Sequence, residues 1–251
     1  MGVIKQFVAL GGQARSGSTL LSCILSQNPQ IHAGGSSAVC QLMWDMHTSI
    51  NKSEEIKANK ITTAAEIVSQ IPNFYYKNIN KPIIVDRNRS WSLPANVELL
   101  RKYIGKNVKY IVLTRPTVEV VSSIVNLRKI NGWVDPEINL FIKDGEPIVR
   151  PLASVLWAKN NNNGEFIFIS YNDLVENTEK TLEKIYNHCG WDFYRHDLNN
   201  IINTCTEDDY EYGLPGLHEI RSTIKRKDNK VILSKKTLDM CYELDNLLEV
   251  G

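Results

Sequence analysis

The amino-acid sequence predicts an α/β fold, a three-layer sandwich in which helices cover both faces of a central parallel sheet. Two observations carry this prediction: strand-like and helix-like segments alternate along the 251 residues, and the strand-like segments are predominantly apolar. Parallel strands joined by helices are buried on both faces, so they are near-continuous hydrophobic runs. Four such runs, rich in β-branched or aromatic residues, lie at 4–10, 82–86, 108–113 and 165–170.

Helical segments fill the intervals between and after these strands. Their hydrophobic spacing predicts helices at 18–27, 37–50, 62–70, 95–104, 118–130 and 152–160. Asn172 as an N-cap and Gly190 as a C′ residue predict one long helix after the fourth strand. A final helix is predicted at 234–248, and no repeat or Pro/Gly-rich linker divides the chain. We therefore expect a single domain over residues 1–251.

The composition excludes several classes of protein. Lys and Arg total 29 against 28 Asp and Glu, and this even balance argues against a nucleic-acid binder, which carries a large basic excess. No apolar run approaches the ~18 residues of a membrane helix, and the stretch ending at Leu10 is too short for a secretory signal. The five cysteines contain no CxxC pair, so neither a disulfide framework nor a metal site is expected. We expect a cytoplasmic protein without nucleic-acid or membrane partners, and nothing in the sequence indicates its oligomeric state.

The segment after the first strand has the frame of a phosphate loop, G-x-x-x-x-G-K-[ST], with Gly12, Gly17 and Thr19 in register. Glycines let backbone N–H groups surround a phosphate, and the following helix adds a favourable dipole. Ser18 replaces the Lys that would reach the β- and γ-phosphates, so the loop suits a smaller anion at the 5′ end of a nucleotide, with Arg15 supplying charge. An ordinary turn capped by its own serines is the alternative. The predicted fold is therefore a P-loop-like sandwich.

The loop and a later strand end resemble two signatures of the sulfotransferases that use 3′-phosphoadenosine 5′-phosphosulfate (PAPS). Arg15-Ser16-Gly17-Ser18-Thr19-Leu20-Leu21 resembles their 5′-phosphosulfate loop. Arg115 at the end of the third predicted strand, with Ser123 eight residues later, resembles their 3′-phosphate site. The resemblance implies PAPS as the cofactor, 3′,5′-diphosphoadenosine as its product, no metal, and cofactor contacts from Arg15, Ser16, Gly17, Ser18, Thr19, Arg115 and Ser123.

Two further segments extend the resemblance over about residues 5–225. The stretch at 168–177 resembles the family's strand–Tyr–Glu–Asp–Leu segment, which implies that Tyr171 lies at the nucleotide, although Asn172 replaces the usual Glu. The stretch at 219–223 resembles a late segment of the tyrosylprotein sulfotransferases that covers the nucleotide. That likeness implies cofactor contacts from Arg221, Ser222 and Thr223, with Ser222 near the sulfuryl group.

Sulfuryl transfer also needs a base and a cation for the sulfuryl oxygens. Arg87, after the second predicted strand, replaces the Lys that the family commonly uses there. The base is not evident: Ser36 stands where tyrosylprotein sulfotransferases have a catalytic Glu, and the His of cytosolic sulfotransferases has no counterpart. Asp86, at the same strand end as Arg87, is the best-placed candidate. The others are His32, Asp45 and His47.

The sequence leaves two functions open. The first is a sulfotransferase that moves a sulfuryl group from PAPS to a hydroxyl or amine of a small-molecule or peptide acceptor. The second is a non-catalytic protein that binds PAPS or its product as a sensor or scaffold. A kinase is disfavoured by Ser18 and by the lack of a Walker-B-like acidic strand end to hold Mg²⁺, for which Asp86 is the only contender. The acceptor site is expected from 38–47, 71–80 and 132–150, with the aromatic residues Trp44, Tyr75, Tyr76 and Trp133.

Overall fold

The computed structural model describes residues 4–142, 145–226 and 231–250, and its centre is a five-stranded parallel sheet. The strands are β1 (Gln6–Gly12), β2 (Ile31–Ser36), β3 (Ile83–Arg87), β4 (Lys109–Thr114) and β5 (Phe166–Ser170). Their order is β2-β3-β1-β4-β5, so β1 is central and pairs in parallel with β3 and β4. The predicted parallel sheet is confirmed.

Ten helices surround the sheet in the described part of the chain. They are α1 (Ser18–Leu25), α2 (Val39–Lys52), α3 (Glu54–Ala58), α4 (Ala64–Tyr75), α5 (Pro94–Tyr103), α6 (Thr117–Ile130), α7 (Val149–Asn160), α8 (Tyr171–Glu176), α9 (Thr178–Cys189) and α10 (Lys235–Val250). A 3₁₀ turn covers Arg89–Ser92. Among these helices, none is both long enough and apolar enough to cross a membrane.

The two sheet faces are covered by different helices because side chains alternate along each strand. On one face, Val8 and Leu10 pack with Leu21 of α1 and Ile185 of α9. On the other face, Ala9 packs in a second cluster with Met43 of α2, Leu100 of α5 and Val155 of α7. The three-layer sandwich predicted from the sequence is therefore confirmed.

Two local predictions were wrong. Strand β2 was not predicted because its sequence, IHAGGS, contains two glycines and lacks a continuous apolar run. It is an edge strand that pairs with β3 alone, with a register shift after Ala33. The long helix predicted from Asn172 is instead two helices: the Ser170 hydroxyl caps α8 by accepting the Asp173 N–H at 3.0 Å, and Asn177 interrupts the helical backbone.

The sheet topology brings the sequence-predicted motifs to one edge. Leu10 of β1 lies beside Arg87 of β3, and Thr114 of β4 lies beside Ser170 of β5. Because all the strands are parallel, the segments that follow their carboxyl ends meet at this edge. The predicted phosphate loop, Arg87, Arg115 and Tyr171 thus share one side of the molecule.

Candidate functional site

The loop after β1 has the backbone that the phosphate-loop pattern requires. Gly12 and Gly17 have φ angles of 114° and 95°, and Arg15 between them has φ 56°. A Cβ on Gly12 would lie 2.1 Å from the Leu113 carbonyl oxygen, and a Cβ on Gly17 would lie 3.0 Å from Leu174 Cδ2. Glycine is therefore required at both positions by conformation and by space. Gly17 also precedes the first turn of α1, where the helix dipole favours an anion.

A cavity of about 340 Å³ opens over this loop at the carboxyl edge of the sheet. Ten of the predicted cofactor and sulfuryl contacts line it: Arg15, Gly17, Ser18, Thr19, Arg87, Arg115, Ser123, Tyr171, Arg221 and Thr223. Two predicted cofactor contacts do not. The Ser16 hydroxyl is buried and donates to the Gln13 carbonyl oxygen at 2.5 Å, so it stabilises the loop itself. Ser222 lies in the irregular segment 207–225, which contributes most of the later residues around the cavity and is called the covering segment below. The carbonyl oxygen of Ser222 accepts the Ile201 N–H at 2.7 Å.

Two arginines meet at one end of the cavity. Arg15 Nε donates to Ser123 Oγ at 3.1 Å, and Arg115 Nη1 donates to the Arg15 carbonyl oxygen at 2.8 Å. The Arg115 guanidinium also stacks on Tyr171, 3.8 Å from the ring centroid, and bonds Glu119 Oε2 at 3.0 Å. Burial, and then the neighbouring Arg115 charge, lower the pKa of Arg15. This cluster therefore carries excess positive charge that an anion would relieve.

A third arginine lies beside the phosphate loop. Arg87, at the end of β3, is 3% exposed and donates through Nη1 to Thr19 Oγ1 at 2.7 Å. Its Nη2 forms an ion pair with the Glu207 carboxylate. Its Nε is buried and has no hydrogen-bond partner among the described residues. A buried donor without a partner is costly, so Arg87 Nε keeps an unmet demand for a hydrogen-bond acceptor beside the phosphate loop.

The covering segment contributes acidic and imidazole groups that the sequence did not single out. Besides its ion pair with Arg87, Glu207 accepts the Ser36 N–H at 2.9 Å. His218 lines the cavity, and its Nδ1 lies 2.6 Å from Asp209 Oδ1. These residues lie in an irregular polar stretch without periodicity, far along the chain from β2 and β3, so no local pattern could have identified them.

Comparison with known proteins identifies the family to which this architecture belongs. Residues 8–195 match the sequence profile of the sulfotransferase family. The chain belongs to this family. A Caenorhabditis briggsae protein named "Putative protein-tyrosine sulfotransferase" is 24% identical over 194 residues, which are 73% of this chain and 65% of that protein. The chain thus spans about 65% of the length of the curated relative that it matches.

Solved sulfotransferase domains have the same fold. The domain from the olefin synthase of Synechococcus PCC 7002 superposes with a TM-score of 0.57 at 20% identity, covering 96% of this chain and 94% of that one. The domain from the curacin biosynthetic pathway superposes with a TM-score of 0.59 at 17% identity, covering 98% of this chain and 99% of that one. At these identities the likeness establishes the fold alone.

Asp86, the best-placed candidate base in the sequence, does not face the cavity. Asp86 is fully buried and accepts three hydrogen bonds, from Ser37 Oγ at 2.6 Å, Tyr76 OH at 2.7 Å and Trp91 Nε1 at 2.6 Å. Adjacent residues of a strand point to opposite faces, so Arg87 reaches the cavity while Asp86 reaches the helices on the other side. Asp86 therefore anchors the sheet to that helical layer.

The other candidate bases also lie outside the cavity. His32 packs edge-on against Tyr76, with ring centroids 5.3 Å apart. His47 Nδ1 lies 2.6 Å from the Tyr103 hydroxyl, and Asp45 accepts from Gln41 Nε2 at 2.7 Å. Within the described ranges, no group of three or more His, Cys, Asp or Glu side chains is placed to hold a metal ion.

The four aromatic residues predicted for the acceptor site do not line this cavity. Trp44 Nε1 donates to Asn96 Oδ1 at 2.6 Å, and Trp133 stacks on Arg128, whose guanidinium lies 4.5 Å from the ring centroid. Tyr76 is buried against Asp86. Tyr75 lines a separate apolar groove between α2 and α4. The aromatic ring that does line the cavity from the covering segment is Tyr212.

Proposed function

We propose that this sulfotransferase moves a sulfuryl group from PAPS to a hydroxyl or amine of a small-molecule or peptide acceptor. The observation that carries the proposal is that one cavity joins two groups of arginine and hydroxyl donors through a phosphate loop. Arg15, Arg115 and Ser123 form one group, and Arg87 with Thr19 forms the other. PAPS has an anion at each end of its ribose, a 3′-phosphate and a 5′-phosphosulfate, which match these two groups.

The residues present fit this cofactor. The cavity volume lies in the range of small-molecule sites. A Cβ on Gly17 would lie 3.0–3.2 Å from Leu174 and Tyr171, so glycine lets the loop pack closely against these two residues beside the cavity. Arg87 Nε is a buried donor without a partner in the described structure. When bound, PAPS would supply an activated sulfuryl group whose leaving group is a phosphate.

The geometry supports a different role for Arg15 from the contact at the 5′ end that the loop motif predicts. Arg15 turns toward Ser123, so we assign it, with Arg115, to the 3′-phosphate. The loop backbone, Ser18 and Thr19 would hold the 5′-phosphate, and Arg87 would bind the sulfuryl oxygens, where charge develops during transfer. Tyr171, Arg221 and Thr223 would enclose the nucleotide.

The test is transfer from labelled PAPS to a panel of phenols, alcohols and amines. We expect turnover by the wild type, and 3′,5′-diphosphoadenosine should bind more tightly than ATP–Mg²⁺ by isothermal titration. Arg87→Ala should lose about 10²–10³ in turnover, the usual effect of removing one transition-state donor, with little change in nucleotide affinity. Arg101→Ala is the matched control, because Arg101 is also ion-paired, with Glu98 and Glu165, but lies outside the cavity.

Two results would overturn parts of the proposal. Unchanged turnover in Arg87→Ala would show that Arg87 takes no part in sulfuryl transfer. Tight nucleotide binding without turnover on any acceptor would favour the non-catalytic sensor or scaffold.

A further inference from the structure

We propose that His218 is the proton acceptor of this reaction, oriented by Asp209 and coupled through Glu207 to Arg87. The inference rests on the proposed function, since a base has meaning only where a sulfuryl group is transferred. His218 lines the same cavity as Arg87, and its side chain is 14% exposed. It is therefore open to a ligand but largely shielded from water.

Asp209 holds the imidazole by two contacts. Asp209 Oδ1 lies 2.6 Å from His218 Nδ1, and Asp209 Oδ2 accepts the backbone N–H of His218 at 2.9 Å. A carboxylate only accepts hydrogen bonds, so Nδ1 carries a proton, and in the neutral imidazole Nε2 is the nitrogen with the free lone pair. A carboxylate in this position fixes both the tautomer and the orientation of a catalytic imidazole.

The free nitrogen faces the acidic partner of the sulfuryl-binding arginine. His218 Nε2 lies 3.6 Å from Glu207 Oε1, beyond hydrogen-bond distance, and has no other partner among the described residues. Glu207 pairs with Arg87, which in turn contacts Thr19 on the phosphate loop. The chain His218–Glu207–Arg87–Thr19 therefore connects a proton-accepting nitrogen to the place proposed for the sulfuryl group.

Glu207 is a positioning residue rather than the base. One of its oxygens is engaged by Arg87, and the other accepts the Ser36 N–H at 2.9 Å. Its negative charge would stabilise the imidazolium that forms when His218 accepts a proton. The carboxylate also occupies the space above Gly35, where an added Cβ would lie 2.6 Å from Glu207 Cγ. Glu207 thus places a carboxylate next to Ser36, the position at which the sequence has a serine and the tyrosylprotein sulfotransferases have a Glu.

The proposed step balances without an additional reactant. The acceptor oxygen forms a bond to sulfur while its proton moves to His218 Nε2. The bond between sulfur and the bridging phosphate oxygen breaks, and its electron pair remains on 3′,5′-diphosphoadenosine. The products are a sulfate ester, the nucleotide and an imidazolium that returns its proton to water.

Two carboxylates and an aromatic ring surround the His218 imidazole. Asp209 and Glu207 face the imidazole with negative charge, and the Tyr212 ring lies edge-on at 5.5 Å. Arg15 donates to the carbonyl oxygen of Leu217, the residue before His218. Arg87 lies on the far side of Glu207 from the imidazole and is paired with that carboxylate. Protonation of His218 at low pH removes its lone pair, so turnover should fall on the acid side of the profile.

The test compares His218→Gln with His47→Gln, a histidine on α2 that contacts Tyr103 and lies outside the cavity. We expect His218→Gln to lose about 10²–10⁴ in kcat, the usual range for a general base. The acid limb of the kcat/KM profile should disappear, while the affinity for 3′,5′-diphosphoadenosine stays within about threefold, because His218 is assigned to the acceptor rather than the nucleotide. His47→Gln should match the wild type in all three measurements.

Three further measurements separate a chemical role from a structural one. The loss in His218→Gln should shrink as the acceptor is changed from an alkyl alcohol to an acidic phenol, because an acidic acceptor needs less help to lose its proton. Added imidazole should restore part of the turnover of His218→Ala. Asp209→Asn should move the acid limb of the profile rather than abolish it.

The outcomes distinguish this inference from the proposed function. If His218→Gln keeps the turnover of the wild type and the acid limb of its kcat/KM profile, the assignment of His218 is wrong. The proposed sulfotransferase activity would not be affected by that result. An equal loss for every acceptor, without rescue by imidazole, would also overturn it. A wild type that binds the nucleotide and turns over no acceptor would instead overturn the proposed function.

Discussion

Arg15 offers the sharpest test of how the cavity binds its nucleotide. The motif around it predicts a contact at the 5′ end, whereas the structure directs its guanidinium to Ser123 Oγ at 3.1 Å, beside Arg115. The perturbation is Arg15→Ala. Both residues carry a Cβ, so the left-handed backbone at this position, φ 56°, is no more strained in the variant.

The magnitude follows from the contact that is lost. A hydrogen bond from a charged group contributes about 1.5–3 kcal/mol, and each 1.4 kcal/mol is a factor of about ten in affinity. The dissociation constant of 3′,5′-diphosphoadenosine should therefore rise about 10- to 150-fold in Arg15→Ala. Adenosine 5′-phosphate lacks the 3′-phosphate, so its affinity should change by less than about threefold.

Isothermal titration of both nucleotides measures this selectivity, with Arg101→Ala as the control and thermal denaturation to confirm folding. Ser123→Ala should give a smaller loss confined to the same nucleotide, about 2- to 12-fold, since it removes a neutral contact. Equal weakening of both nucleotides by Arg15→Ala would show that Arg15 serves the 5′ side and would refute the structural assignment.

Two other substitutions test the framework around the cavity. Asp86→Asn replaces one carboxylate oxygen by an N–H₂ group, which then opposes either Trp91 Nε1 on the Oδ1 side or the Ser37 and Tyr76 hydroxyls on the Oδ2 side. The free energy of unfolding should therefore fall by about 1–3 kcal/mol in thermal or denaturant unfolding. A large loss of turnover at full stability would instead show that Asp86 takes part in the reaction. Gly17→Ala should lower nucleotide affinity and cost at least about 1 kcal/mol of stability, because φ is 95° and the new methyl would meet Leu174 and Tyr171. Gly164→Ala, at φ 86° with open space around it, is the control that isolates the backbone strain.

Local patterns in the sequence were sufficient for four of the five strands, the phosphate loop and the arginines at the strand ends. Apolar runs between helical segments specify parallel strands, and parallel strands gather their carboxyl ends at one edge. Arg87, Arg115 and Tyr171 follow three different strands, so their meeting at the cavity was predictable once the strands were recognised. Gly12 and Gly17 were also recognisable, because a tight loop demands residues without a Cβ.

The tertiary structure alone decided which polar groups face the cavity. Asp86 and Arg87 are neighbours, and only the packing of the two helical layers shows that the first is buried away from the cavity and the second lines it. Glu207 lies 120 residues from Arg87 and 171 from Ser36, in a segment with no periodicity that could have placed it. Asp209 and His218 share that segment. A sequence pattern reports short-range preferences of the backbone, whereas these contacts arise from the path of an irregular segment across the finished sheet.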